Sequence, residues 1–333
     1  MGVLNVALIG SEGLARKLGK KGDVRDIESY VHKEGSGKSA RVLSFLRPLK
    51  YPESLRPLLS VLDVAKAGLL EVGSLDSTTG EAMVALGCAR IRHGMAIVSP
   101  GQGEWIDPGQ VRMMLDQAGL PGWGVVEEVD EHDLRSKLFE IREVISDELD
   151  ELNSSSLILP VDQHFNVKGV GLVAIGYVQS GSVSKHDEIE VMPSGDSGVV
   201  RSLQVMDDDV EKAFSGDRVG VAIRNLREQS LQRGCMICIP GEGALVSHAS
   251  STMVIEKAPF QRRELSVGEV IHVASDLQFA VGRVTAIEGG SASVEWETAI
   301  WIREDGGSEL LVVQLDSSPM RIIGSSSSIS RKA

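Results

Sequence analysis

The stretch FNVKGVGLVAIGYVQSGSVSKHDEIEV, residues 165–191, decides the fold of more than half of the chain. Short runs rich in Val and Ile alternate in it with Gly, Ser and Asp, a pattern typical of strands joined by tight turns. Gly169 and Gly171 allow a sharp entry into a strand because glycine tolerates positive φ, and Gly181 suits a hairpin turn. The pattern continues to about residue 324, with turns at intervals of about 8–12 residues, and predicts β-barrels or β-sandwiches.

The N-terminal part of the chain has a different pattern, in which strand and helix candidates alternate. Strands are predicted over 3–10, 42–46, 67–73, 94–99 and 124–129, and helices over 52–67, 78–91, 107–119 and 130–152. Asp107 and Asp130 stand where helix N-caps are expected, and Pro108 follows at the first helical position. This alternation predicts an α/β domain built on a parallel sheet.

The two patterns divide the chain into segments. A polar linker, ELNSSS, covers residues 151–156, and a second break near PGEGA, residues 240–244, splits the β half in two. The predicted fold class is therefore α/β plus all-β, with an α/β domain over 1–152 and β modules over 157–242 and 243–325. Residues 326–333 are expected to form a disordered tail because they are rich in serine and lie at the chain end.

Ordered motifs in the β half carry a resemblance to a known family. F-x-x-x-G-x-G-x-V-x-x-G begins at Phe165 and is followed by S-G-S-V, D-E-I-E-V, then A-x-x-G-D-x-V-G from Ala213, and Arg224. This order resembles the second domain of the translational GTPases, which include elongation factor Tu, elongation factor one-alpha and the selenocysteine-specific factor. KAPFQRRELSVGEVIHV, residues 257–273, resembles their third domain. The resemblance implies a GTPase-like first domain followed by two β-barrels.

The resemblance also implies a phosphate-binding loop, G-x-x-x-x-G-K-[ST], directly after the first strand, where backbone amides cradle phosphate. Counted from Gly10, its last three positions hold Ala15, Arg16 and Lys17. Gly10 is thus the surviving motif residue, and Arg16 and Lys17 are candidate remnants of a nucleotide site. A second stretch, GSGKS at 35–39, has the wrong spacing and is interpreted as a polar loop.

The other nucleotide motifs of the family are replaced. The third-strand motif D-x-P-G-H aligns its Asp, Gly and His with Arg47, Lys50 and Tyr51. The guanine-reading N-K-x-D aligns with Ser99, Pro100, Gly101 and Gln102. Mg²⁺ lacks its usual hydroxyl and carboxylate ligands here, and the guanine edge lacks its Asp. We therefore expect no GTP or Mg²⁺ cofactor, no catalytic residue and no resident metal.

In the family, a pocket on the second domain receives the aminoacyl end of tRNA. The resemblance assigns Phe165 and Arg224 to this pocket and Asp162 to its acidic wall, where Ile175 replaces a threonine. A structural role explains the first two equally well, with Phe165 in the core and Arg224 paired to a surface carboxylate. Further along, the neighbouring arginines 262 and 263 correspond to positions where the third domain meets the tRNA arm in relatives.

Composition limits the class of partner. The 333 residues carry a formal charge of −13, which argues against a general polyanion binder and against DNA. Residues 16–41 nevertheless contain eight basic and four acidic groups, a local +4, whereas residues 126–152 contain eleven acidic and three basic groups, a local −8. Both stretches fit solvated surfaces. Three cysteines without framework spacing favour a reducing cytoplasm, and the sequence shows no membrane-spanning run.

These observations predict a cytoplasmic, elongation-factor-like protein that binds tRNA or the ribosome and has lost the normal GTP cycle. Two alternatives stay open. One is an active GTPase of translation that uses nonstandard nucleotide-binding residues, and the other is a protein-interaction module that has dropped RNA. The sequence leaves the oligomeric state undetermined.

Overall fold

The computed structural model describes residues 2–37, 40–101, 104–127 and 130–331, which form three domains. In the first domain the elements are β1 (Gly2–Ile9), α1 (Glu12–Leu18), β2 (Lys20–Val24), β3 (Ile27–Glu34), β4 (Arg41–Pro48), α2 (Arg56–Val64), β5 (Ala67–Val72), α3 (Ser77–Cys88), β6 (Gly94–Val98), α4 (Pro108–Gln117), β7 (Gly124–Val126), α5 (Glu131–Val144) and α6 (Ser146–Leu152). The sheet order is β2-β3-β4-β1-β5-β6-β7. The strands from β4 to β7 are parallel, and β2 and β3 form an antiparallel hairpin at one edge.

Sequence chemistry explains these elements. β1 and β6 are apolar runs buried on both faces, as expected for strands covered by helices on each side. Asp107 and Asp130 cap α4 and α5, and their side chains accept hydrogen bonds from the backbone N–H of Gly109 and Asp133. The predicted parallel-sheet domain is confirmed. The hairpin β2–β3 was not predicted because β2 is polar and largely exposed and β3 mixes apolar with charged residues.

The second domain is a β-barrel. Its strands are β8 (Leu159–Val167), β9 (Gly171–Tyr177), β10 (Ser182–Ser184), β11 (Glu188–Met192), β12 (Asp196–Val205), β13 (Asp208–Val210), β14 (Lys212–Phe214), β15 (Arg218–Arg224) and β16 (Met236–Cys238). Six of them close in the order β11-β16-β8-β9-β15-β12, because β12 also pairs with β11. Its core consists mainly of Val, Leu and Ile side chains.

The third domain is a closed six-stranded barrel in the order β17-β20-β19-β18-β21-β22. Its strands are β17 (Leu245–Lys257), β18 (Val270–Ser275), β19 (Gln278–Glu288), β20 (Ser291–Arg303), β21 (Leu310–Val313) and β22 (Ile322–Arg331). The prediction of a disordered tail from residue 326 is wrong up to Arg331. Strand β22 pairs with both β17 and β21, and this double pairing orders the serine-rich segment by satisfying its backbone groups.

Specific polar contacts join the first domain to both barrels. Asn5 donates to the carbonyl of Gly216 in the second domain, with a distance of 2.8 Å. Arg321 of the third domain forms an ion pair with Glu81 of α3 and donates to the carbonyl of Pro52 at 2.9 Å. One hydrophobic cluster runs from the helices of the first domain into the third barrel. The three domains therefore pack as one body.

Candidate functional site

The turn between β1 and α1 lies where the resemblance places a phosphate-binding loop. Only Gly10 and Ser11 separate the strand from the helix. Ser11 is the N-cap of α1, and its hydroxyl accepts a hydrogen bond from the N–H of Leu14 at 3.2 Å. Buried Leu14, Ala15 and Leu18 hold the helix against the sheet. The segment aligned with the phosphate loop is therefore a two-residue turn followed by helix.

Arg16 and Lys17 lie in the last turn of α1, at the opposite end of the helix from Gly10. Arg16 forms an ion pair with Glu12 at 2.6 Å, and Lys17 lies 3.8 Å from a carboxylate oxygen of Glu131. The structure therefore does not bring these two candidate remnants together with Gly10. The physical reason is the helix itself, which begins at Glu12 and places Arg16 and Lys17 a full turn beyond Gly10, although the Arg16 guanidinium reaches back to Glu12.

Protein groups occupy the surroundings of Gly10. The carboxylate of Glu71, on β5, accepts a hydrogen bond from the backbone N–H of Ser11 at 2.6 Å. The guanidinium of Arg47, on β4, donates to the carbonyl of Gly10 at 2.8 Å. A Cβ atom at Gly10 would lie 2.8 Å from the Cβ of Glu71, so this close approach requires glycine.

Two further carboxylates complete what we call the strand-end cluster, defined as Gly10, Ser11, Glu12, Lys21, Glu28, Arg47 and Glu71. Glu28 accepts hydrogen bonds from Lys21 and from Arg47, each at 2.7 Å. Lys21 also donates to Glu12 at 2.9 Å. The hairpin β2–β3 supplies Lys21 and Glu28, so a segment that the sequence analysis left unassigned builds much of this cluster.

The pairing shifts the acidity of the cluster. Hydrogen bonds from Lys21 and Arg16 lower the pKa of the Glu12 carboxyl to about 2. Burial alone would raise the pKa of Glu28, but the hydrogen bonds from Lys21 and Arg47 hold it below its ordinary value. Both carboxylates are therefore ionised at neutral pH, and the cations of the cluster are already neutralised by the protein's own acids.

The remaining positions aligned with nucleotide motifs have structural contacts or lie outside the described residues. Lys50 is exposed and has a positive φ of 62°. The hydroxyl of Tyr51 donates to the carbonyl of Thr78 at 2.9 Å, and burial raises its pKa. Ser99 continues the backbone pairing beyond β6 by donating to the carbonyl of Val72 at 2.9 Å. Gln102 lies outside the described residues.

Phe165 and Arg224 lie on the outer face of the second domain. Phe165 pairs with Val173 on β9, and Val173 pairs with Ala222 on β15, two residues before Arg224. Side chains two residues apart share a face of a strand, so Phe165 and Arg224 share this face. Phe165 is 37% exposed, and Arg224 is exposed. We call Phe165, Val173, Ile175 and Arg224 the barrel face.

The alternative structural roles of these two residues find no support. Phe165 belongs to none of the hydrophobic clusters formed by the described residues. Arg224 has no ion pair within the described part of the chain. An aromatic ring and a guanidinium are thus presented to solvent on one face, the combination that binds a nucleotide base and a phosphate.

Asp162 does not join the barrel face, contrary to its assignment as the acidic wall of a pocket. The pairing of β8 with β9 shifts register between Val161 and Gln163, so Asp162 is the extra residue of a β-bulge. Its carboxylate lies 3.3 Å from Arg233, and burial raises its pKa. Arg233 also pairs with Asp26 of the hairpin β2–β3. The bulge turns Asp162 toward the contact between domains.

Arg262 and Arg263 belong to the third domain and are both exposed. Arg263 forms an ion pair with Glu269. Arg262 has no ion pair among the described residues and lies two positions from Phe260, which is 60% exposed and has a φ of 63°. Arg262 is therefore the freer of the two arginines for contact with a partner.

Sequence reasoning missed the acidic half of the strand-end cluster. Glu71 is the single charged residue in the otherwise apolar strand AGLLEV, and this isolation was a usable signal. Glu28 carried no comparable signal, because its burial depends on how the hairpin folds over β4.

No group of metal-binding side chains is found among the described residues. None of the described helices combines the length and apolarity needed to cross a bilayer.

Comparisons with known proteins agree with this architecture. A family profile described as "Elongation factor Tu domain 2" matches residues 171–238. An uncharacterised protein of Methanocaldococcus jannaschii is 27% identical over 322 residues, which cover 96% of this chain and 98% of the relative. The selenocysteine-specific elongation factor of the same organism is 26% identical over 217 residues, which cover 56% of this chain and 45% of that protein.

Among solved structures, the fold matches translation elongation factor SelB from Methanococcus maripaludis in complex with the GTP analogue GPPNHP. The TM-score is 0.76 at 20% identity, and the match covers 98% of this chain and 79% of that chain. The fold predicted from the sequence, a GTPase-like α/β domain followed by two barrels, is thereby confirmed. The resemblance to translational GTPases is confirmed as well, and it supports a translation-factor-like function.

Proposed function

We propose that this relative of the translational GTPases binds tRNA or the ribosome through its barrels and does not bind GTP. The observation that carries the proposal is the two-residue turn at Gly10, where the amide of Ser11 already donates to Glu71 and the amide of Leu14 to the Ser11 hydroxyl. Phosphate loops hold phosphate with several successive backbone N–H groups at the start of a helix. A two-residue turn provides no glycine-rich loop to wrap such groups around a phosphate.

Charge opposes nucleotide binding at the same place. A triphosphate placed beside Gly10 would meet the carboxylates of Glu12, Glu28 and Glu71. Lys21 and Arg47 could attract it only after releasing Glu28, which accepts hydrogen bonds from both. Separating a shielded ion pair leaves its partners uncompensated and costs about 3–5 kcal/mol. Nucleotide binding would therefore have to offset this cost as well as the missing loop.

The barrel face supports the RNA part of the proposal. Phe165 offers a partly exposed aromatic ring, and stacking of a base on such a ring contributes roughly 1–3 kcal/mol. Arg224 is exposed, and its planar guanidinium suits bidentate contact with phosphate. We assign the terminal nucleotide of an aminoacylated tRNA to this face. Arg262 on the third domain would add a phosphate contact.

Isothermal titration of the full chain tests both halves of the proposal. GTP and GDP are titrated with Mg²⁺, and aminoacyl-tRNA is titrated beside the same tRNA without its amino acid. We expect no micromolar affinity for either nucleotide and measurable affinity for aminoacyl-tRNA. Micromolar or tighter GTP binding would refute the proposed loss and support the alternative of an active GTPase.

A purification from cell extract separates RNA binding from the remaining alternative. Ribosomal RNA, ribosomal protein or tRNA is expected to co-purify with the chain. Washing in high salt should release the RNA, because phosphate contacts weaken steeply with salt concentration. Recovery of non-ribosomal proteins alone, together with no binding of aminoacyl-tRNA in the titration, would contradict the RNA assignment and favour a protein-interaction module.

A further inference from the structure

A cavity of about 320 Å³ lies where the three domains meet, and we call it the junction cavity. The end of α2, the loop from α3 to β6, and α6 line it on the side of the first domain. Gln179 lines it from the second domain, and residues 275–276, Arg303 and residues 309–311 line it from the third. The volume falls within the range of sites that bind small molecules.

Lys66 is the cation that faces this cavity without a matching acid. Its Nζ atom donates to the side-chain oxygen of Gln179 at 3.2 Å, and no carboxylate of a described residue lies within ion-pair distance. Burial lowers the pKa of Lys66, and the nearby Arg303 lowers it further. An ammonium held in this way is costly to bury unless another negative group meets it.

The other charges of the cavity are mostly satisfied within the protein. Arg303 forms an ion pair with Asp276, and Arg90 forms one with Glu309 at 3.0 Å. These pairs close the wall that the third domain contributes. Two cations, Lys66 and Arg92, are left to contact a ligand.

The second cation is Arg92, which is exposed at the rim and has no ion pair among the described residues. Two acids oppose the pair of free cations. The carboxylate of Asp63 accepts a hydrogen bond from the N–H of Leu277 at 3.1 Å, and burial, aided by Asp276, raises its pKa well above the ordinary value. Glu148 also lines the cavity. Burial disfavours the charged forms of Asp63 and Lys66 alike, and an anion beside the Nζ atom of Lys66 would offset this cost for Lys66.

We propose that the junction cavity binds a small organic anion, carrying a carboxylate or a phosphate group, whose negative charge is held by Lys66. This inference goes beyond the proposed function, since it concerns a different site and a different class of ligand. Asp63 links the ligand to the domain arrangement, because its backbone carbonyl also accepts from Gln179 at 3.1 Å. Residues of all three domains line the site, so the ligand binds the assembled protein.

Titration of the full chain with inorganic phosphate and with succinate tests the proposal. We expect at least one of the two to bind with millimolar or tighter affinity. Binding of phosphate alone would identify a phosphorylated ligand, and binding of succinate alone would identify a carboxylic acid. The absence of binding by both anions would overturn the proposal.

Two variants and a control locate the bound anion. Lys66→Met keeps the aliphatic stem and removes the charge, and it should lower the affinity by roughly ten- to a hundredfold, as expected for a hydrogen bond to a charged group. Arg92→Gln, at the exposed rim, should lower it by about two- to fivefold. Lys20→Met, on exposed β2, should leave it unchanged. An equal affinity in Lys66→Met and the control would overturn the assignment.

A spectroscopic readout keeps the test independent of folding. The chemical shift of the Cε carbon reports the pKa of each lysine. Bound anion should raise the pKa of Lys66 toward the ordinary lysine value, while Lys20 should not respond. In the absence of ligand, the unfolding midpoint of Lys66→Met should equal or exceed that of the unchanged chain, because the variant removes an uncompensated buried charge. A ligand-independent Lys66 pKa would contradict the proposal.

Discussion

The strand-end cluster surrounds Gly10 of the predicted nucleotide site, and the barrel face holds Phe165 and Arg224 of the predicted tRNA pocket; the polar groups of these two regions differ in their contacts. In the cluster, Glu28 and Glu71 accept hydrogen bonds from Lys21, Arg47 and the amide of Ser11. On the barrel face, Phe165 and Arg224 remain exposed, and their side chains make no such contacts with the residues that the structure describes. The polar groups of the strand-end cluster are paired with one another, whereas those of the barrel face are exposed to solvent.

This difference distinguishes what the α/β fold requires from what the polar residues at its strand ends do. The parallel sheet needs buried apolar strands and capped helices, and these are present although only two residues join β1 to α1. The acids of the cluster contribute to stability by neutralising Lys21 and Arg47 where a ligand would otherwise do so. The exposed aromatic ring and guanidinium on the second domain are the groups on which the proposed RNA contact rests.

The largest expected effect comes from breaking the cluster at its most buried acid. Glu28→Ala should lower the free energy of unfolding by about 3–4 kcal/mol, because Lys21 and Arg47 would lose their shared partner in a shielded position. Glu34→Ala, on the same hairpin but half-exposed, should cost less than about 1 kcal/mol. Urea unfolding measures both variants. Similar losses in the two would show that the cluster is not a stabilising unit.

A second prediction uses pH to contrast the two domains. Burial raises the pKa of Asp217, in the second domain, to about 6 from an ordinary value of 3.8. The folded state therefore binds the proton of the Asp217 carboxyl more tightly than the unfolded state does. The contribution of this proton to the free energy of unfolding is fully present below pH 3.8 and is lost as pH rises through 6. The loss should reach about 2–3 kcal/mol. Asp217→Asn should remove this dependence when unfolding free energy is measured across that window.

The cluster should respond in the opposite direction. The pKa of Glu12 is lowered from 4.5 to about 2, so its contribution is present above pH 4.5 and is lost as pH falls through 2. Glu12→Gln should flatten the unfolding free energy in that acidic window and leave the dependence due to Asp217 unchanged. An acid-side slope that persists in Glu12→Gln would assign the acid sensitivity to other carboxylates.

The fourth prediction concerns the barrel face. Phe165→Ala should weaken binding of aminoacyl-tRNA by about 1–3 kcal/mol, the usual contribution of a stacked base. Phe214→Ala is the matched control, because Phe214 is a similarly exposed ring of the same domain and lies away from this face on β14. Titration of the two variants in parallel at fixed salt measures the difference. Equal losses would mean that the ring of Phe165 does not contact RNA.

How much of this was predictable from the sequence differs between the two regions. The barrels followed from local signals, such as the glycines at 169 and 171 with positive φ and the alternating Val and Ile. The α/β domain followed from periodicity and caps. The register of a bulge was not visible, and so Asp162 was assigned to the barrel face instead of to Arg233.

The cluster itself depended on contacts between distant segments. Glu28 and Arg47 are neighbours only because β3 and β4 pair antiparallel, with these two residues in register. Ser11 and Glu71 meet because β1 and β5 are adjacent in the sheet and end at the same edge. A gapless alignment carried Arg16 and Lys17 into a loop, whereas the apolar spacing of Leu14, Ala15 and Leu18 makes this segment a helix. Tertiary pairing determined what local pattern could not.

The smallest expected effect tests whether the side chain of Glu71 alone blocks GTP from the space beside Gly10. Glu71→Ala removes the acceptor of the Ser11 amide and opens space beside Gly10. If Glu71 alone blocks the site, this variant would gain GTP affinity. We expect no gain, because one freed amide cannot replace a phosphate loop and α1 still begins at Glu12, whose carboxylate remains at the turn. Titration with GTP and Mg²⁺ at micromolar concentration measures this, with Glu53→Ala, at an exposed glutamate outside the cluster, as the control. GTP binding by Glu71→Ala alone would show that the two regions differ by a single side chain rather than by the length of a turn.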